Sequence, residues 1–75
     1  MSINEEKIDQ AALALLHLTL HDGRRAWKQI DFDVMHRLQQ KGFLLQPTGK
    51  AKSVVFTDEG LKASEEWFNK LFKEL

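Results

Sequence analysis

Cysteine is absent from all 75 residues. That excludes disulfides and thiolate metal sites and leaves packing or self-association to stabilise a short chain. Long apolar runs are also missing: none approaches the ~20 residues of a bilayer-spanning helix. The start, Met1-Ser2-Ile3-Asn4-Glu5-Glu6, is acidic and lacks the basic-then-apolar pattern of an export signal. A cytoplasmic protein is the expectation. There is no glycine-rich phosphate loop, because the four glycines are scattered at positions 23, 42, 49 and 60. No Ser, Thr or Lys stands beside a base in a nucleophilic arrangement; Ser53, Ser64 and Thr57 read as strand, core-edge and cap residues. These absences point away from an enzyme, a cofactor, a small-molecule substrate or a membrane role. The sequence specifies a surface rather than a reaction.

What is present suits one domain spanning residues 1–75. An apolar share of 43%, with two Trp and five Phe, offers enough burial to exclude disorder. A chain of this size buries about 60% of its unfolded surface, so its core is small. The net charge is zero, yet the charges are unevenly placed. Residues 1–20 and 57–75 each sum to −2, while between them Arg24, Arg25, Lys28, Arg37, Lys41, Lys50 and Lys52 outweigh Asp22, Asp31 and Asp33 by +4. If folding gathers Arg24, Arg25, Lys28, Lys50 and Lys52 on one face, an anionic partner follows, either the phosphates of DNA or an acidic protein. The isoelectric point near 6.8 is well below the basic values of most nucleic-acid binders.

Ser2-Ile3-Asn4-Glu5 has the form of a capping box opening a helix to about His21, with Gly23 as its stop. Ile8, Ala11, Ala12, Leu13, Leu15, Leu16, Leu18 and Leu20 occupy more than half of that helix's circumference, leaving Gln10, Ala14, His17 and His21 as a thin polar strip. Such a helix must be covered on two sides, by its own chain or by a second copy. Ala26-Trp27-Lys28-Gln29-Ile30 reads as a short extended segment. Asp31 is an N-cap, and Ile30 with Met35 has the spacing of a hydrophobic staple. The helix they open runs from Phe32 to about Lys41, ends in Gly42, buries Phe32, Val34, Met35 and Leu38, and exposes Asp33, Arg37, Gln40 and Lys41. Phe43 to Gln46 and Lys52 to Thr57 then flank Pro47-Thr48-Gly49 as a hairpin. Thr57 caps a last helix whose apolar arc is Leu61, Ser64, Trp67, Phe68, Leu71, Phe72 and Leu75.

The run Leu38-Gln39-Gln40-Lys41-Gly42-Phe43-Leu44, followed by a hairpin and Val54-Val55-Phe56-Thr57-Asp58-Glu59-Gly60, resembles the wing half of MarR-type and PadR-type winged-helix regulators. Leu18-Thr19-Leu20-His21-Asp22, Arg25-Ala26-Trp27-Lys28, Lys50-Ala51-Lys52-Ser53-Val54-Val55 and Thr57-Asp58-Glu59-Gly60 together resemble a family of small bacterial proteins known only as a domain of unknown function. That second resemblance covers nearly the whole chain and implies a free-standing small bacterial protein, with no activity or ligand attached.

The expected architecture is therefore α+β: a small winged-helix-like domain of three helices with an antiparallel wing of two or three strands. The expected function is a non-enzymatic, homodimerising protein-interaction or regulatory module. Leu13, Leu16, Leu20, Trp67 and Leu71 are its candidate dimer surface. The alternative is a weak DNA-binding domain touching phosphates through Arg24, Arg25, Lys28, Lys50 and Lys52. Against base reading, the helix beginning at Phe32 carries Asp31 and Asp33 at the end that a recognition helix directs at base edges. His17 and His21 have the spacing of a two-histidine metal pair but no third ligand, so no metal is assigned.

Overall fold

The computed structural model describes residues 2–27, 31–45 and 53–73. Their order is α1 (Glu5–Leu18), β1 (Arg25–Trp27), α2 (Phe32–Gln40), β2 (Ser53–Val55) and α3 (Asp58–Phe72). The protein is thus an α+β domain of three helices and a two-stranded antiparallel sheet. No helix among the described residues is long and apolar enough to cross a membrane.

α1 begins two residues later than the capping-box reading placed it. Its cap is Asn4, whose Oδ1 accepts the Lys7 N–H at 3.1 Å. Asn is as good a cap as Ser, and Glu5 and Glu6 then fall in the first turn, where the helix dipole favours acids. The helix also stops earlier than His21, at Leu18 with Thr19 as C-cap. Gly23 is therefore not the helix stop. Asp22 and Gly23, both at positive φ, turn the chain between His21 and Arg25, which bond each other through both backbone N–H groups.

α2 is capped as expected. One carboxylate oxygen of Asp31 accepts the Asp33 and Val34 N–H groups. At the other end the Phe43 N–H reaches the Leu38 carbonyl and the Gly42 N–H the Gln39 carbonyl, a Schellman closure that needs the left-handed φ of +81° found at Gly42. Val34, Met35 and Leu38 are buried, but Phe32 is 74% exposed. The expectation for Phe32 fails because six residues carry it about 120° around the helix from Leu38. Ile30, the expected staple, lies outside the described residues.

The sheet keeps one contact of the expected hairpin and adds a second partner for β2. β2 pairs with β1, Arg25 opposite Val55, Ala26 opposite Val54 and Trp27 opposite Ser53. On the other edge of β2 the Leu45 N–H reaches the Val55 carbonyl, and Leu44 forms a single bridge to Phe56. The turn residues Pro47-Thr48-Gly49 lie outside the described residues.

α3 is capped by Thr57, whose Oγ1 accepts the Gly60 N–H at 2.9 Å and donates to the Gly42 carbonyl. Ala12, Leu13 and Leu16 of α1, Ala26 of β1, Val34, Met35 and Leu38 of α2, with Leu44, Val54 and Phe56, form the core. Leu20, Phe43, Leu61, Ala63 and Trp67 pack against it. The expected polar strip on α1 is wrong at Ala14, which is fully buried, and the chain's own elements leave Leu15 and Leu18 52% and 65% exposed. α2 and α3 cover two flanks of α1 and leave a third open.

Candidate functional site

The most strongly connected polar group is a clasp between α1 and α2. Asp9, with a side chain only 3% exposed, accepts from Arg37 at 2.7 Å and from Lys41 at 2.9 Å. Glu5 adds a contact to Arg37 and Glu6 one to Lys41, each at 3.1 Å. The spacings explain the match: Glu5 and Asp9 are four apart on one helix, Arg37 and Lys41 four apart on the other, so each pair shares a face. The hydrogen bond from Arg37 holds the Asp9 carboxyl below its ordinary range, and the bond from Lys41 assists against desolvation. The bond to Asp9 raises Arg37 and Lys41 in turn. Sequence reasoning placed Arg37 and Lys41 on an open face, but here they are bound by α1 carboxylates. An acidic pair and a basic pair, each at four-residue spacing, were the signal that could have found this.

The five cations proposed for an anionic partner divide as follows. Arg24 donates to Asp58 at 2.9 Å and Arg25 to Ser53 Oγ at 3.3 Å. Lys28, Lys50 and Lys52 lie outside the described residues. The +4 of the middle segment is thus offset in space at three positions, Arg24, Arg37 and Lys41, each paired with a carboxylate from the acidic ends of the chain.

The candidate dimer surface changes more. Leu13 and Leu16, at 1% and 3% exposure, belong to the chain's own core and cannot serve as contacts for a second copy. Trp67 is half-buried against that core, helps to close a recess of about 130 Å³ beside Asp9 and Leu13, and has Lys70 Nζ 4.9 Å from its ring centroid. Leu20 also packs on the core. Leu71 remains open, as do Phe72 on the same helix and Leu15 and Leu18 on α1. Sequence periodicity missed the last two because eight apolar positions around α1 left no basis for choosing which face was free.

His17 and His21 do different work. His17 Nδ1 lies 3.1 Å from Ser64 Oγ, which gives its only proton to the Leu61 carbonyl at 2.8 Å. Nδ1 must therefore be the protonated nitrogen, donating to Ser64. The ring also tilts against Phe68 at 5.1 Å between centroids. His21 Nδ1 donates to the Thr19 carbonyl at 3.0 Å, and its ring stacks on Trp27 at 4.5 Å. Among the described residues no three His, Asp or Glu side chains gather as a metal-binding group. Ser64 is wholly buried, so the His17–Ser64 pair links α1 to α3 and offers no accessible nucleophile.

A family model described as "Domain of unknown function (DUF6429)" matches residues 4–74. The chain is 54% identical over 72 residues, 96% of its own length and 97% of the relative's, to "Uncharacterized protein y4hR" of Sinorhizobium fredii. No solved structure matches it.

Proposed function

The chain belongs to the DUF6429 family, and from the geometry above we propose that it acts without catalysis as a binding module of winged-helix type that pairs with a second copy of itself. One observation carries this reading: the third flank of α1 is open, with Leu15 52% and Leu18 65% exposed, and α3 adds Leu71 and Phe72 at 47% and 45%. His17 against Phe68 ties the two helices together at that end, and Phe68 packs in turn on Phe72. A two-fold contact uses one patch twice, so an apolar patch is complementary to itself. A standard interface needs about 800 Å² from each subunit, about a seventh of the 5523 Å² surface, and the faces of helices of 14 and 15 residues are of that order.

Sedimentation or light scattering over a concentration series tests the pairing. A dimer is expected, with Leu15→Glu plus Leu18→Glu giving a folded monomer. A strict monomer at high concentration defeats it. The competing reading is phosphate-directed DNA binding through Arg24, Arg25, Lys28, Lys50 and Lys52. The Arg24–Asp58 pair weighs against it, and a duplex titration at low ionic strength that yields salt-dependent binding would favour it.

A further inference from the structure

An open groove of about 600 Å³ runs between the N-terminal ends of α1 and α2. Ile3, Ile8 and Val34 supply apolar surface, and Glu5, Asp31 and Asp33 supply carboxylates. Ile3 is 75% exposed, and Phe32, between the two aspartates in sequence, is 74% exposed. Among the described residues of the lining Arg37 is the one cation, and its guanidinium is already held by Asp9 and Glu5. Three carboxylates against one guanidinium leave the lining with two surplus negative charges. The roughly half positive charge at the start of each helix, about +1 in all, offsets only part of them. Exposed apolar side chains beside a surplus of negative charge are complementary to a cationic partner and repel an anionic one.

We propose that this groove docks a cationic amphipathic peptide segment of a partner protein. One bulky apolar side chain sits against Ile3, Ile8 and Val34, and flanking lysines or arginines face Asp31 and Asp33. A nucleic acid or an acidic protein is repelled here, which reverses the sign of partner expected from the charge of the middle segment. The site goes beyond the self-association reading and uses different residues, Ile8 lying at the border.

Fluorescence anisotropy with a short labelled leucine–lysine amphipathic peptide tests the proposal, with leucine–glutamate and serine–lysine peptides as controls. The leucine–lysine peptide is expected to bind and to weaken as salt rises. Asp33→Asn combined with Ile3→Ser should lower its affinity about tenfold while circular dichroism and Tm hold, since both side chains are exposed and asparagine is tolerated at a helix start. The Leu15→Glu, Leu18→Glu protein should bind as the parent does, which separates this site from the dimer surface. Equal binding of the leucine–glutamate peptide, indifference to the Asp33 and Ile3 changes, or no binding at low salt would each overturn the proposal.

Discussion

Gly60 lies so close to the backbone of Phe43 that a Cβ on it would sit 1.8 Å from the Phe43 carbonyl oxygen. The first turn of α3 is thus pressed against the chain where α2 ends. Thr57 reinforces the joint, its N–H reaching the Phe43 carbonyl and its hydroxyl the Gly42 carbonyl. The obstacle is backbone, which no side-chain rotation relieves. Gly60→Ala is expected to cost about 3 kcal/mol or more, read as a lowered urea midpoint. A midpoint within error of the parent would show that α3 can slide off this contact.

Asp9→Asn keeps the side chain's shape and removes its charge. The expected loss is about 2 kcal/mol at neutral pH. It stays below the cost of a fully buried pair because the Arg37 and Lys41 side chains are 25% and 31% exposed and water can take up part of their charge.

The same clasp sets the pH profile. A depressed Asp9 carboxyl means that the folded state binds fewer protons, so its contribution is whole above the unfolded carboxyl value of about 3.9 and disappears as pH falls through the lower folded one. Lys41, raised chiefly by its bond to Asp9, contributes fully below about 10.4 and loses its share as pH rises past that value. Thermal melts should show a plateau between about pH 5 and 10, with an acid slope that Asp9→Asn flattens. An acid slope identical in the variant would remove Asp9 as its source.

Leu13 and Leu15, two positions apart on one helix, have opposite expectations. Leu13→Ala empties a core site and should cost about 2 to 5 kcal/mol. Leu15→Ala trims an exposed side chain and should cost under about 1 kcal/mol in the monomer, despite the sequence pattern that placed Leu15 among the covered residues. Chemical denaturation at low protein concentration distinguishes them.

For the histidines, nitrogen-detected NMR of the neutral rings should find the proton on Nδ1 in both His17 and His21. Their partners, a hydroxyl whose proton is already donated and a carbonyl, can only accept. A proton on Nε2 of His17 would mean that Ser64 turns its hydroxyl toward the ring.

Much of the local structure was legible in the chain. Asp31 and Thr57 cap the helices they were expected to cap, and Gly42 closes α2, because a carboxylate, a hydroxyl and a missing Cβ satisfy backbone groups a few residues away. α1 was legible only as a helix. Asn4 and Ser2 both suit a cap, and the choice fell to the residue that leaves two glutamates in the first turn.

The sites were less legible because they depend on which helix face meets which neighbour. Leu13, Leu16 and Trp67 were drawn into the core, while Leu15, Leu18, Leu71 and Phe72 were left outside. The basic residues of α2 met acids more than twenty-five positions away.

By itself, then, the order of residues determined the element types and the caps of α2 and α3, since these depend on neighbours within one turn or one strand. Tertiary structure alone decided the sign and exposure of each surface. Charge and apolar area are properties of faces, and only packing selects which faces cancel each other and which remain for a partner.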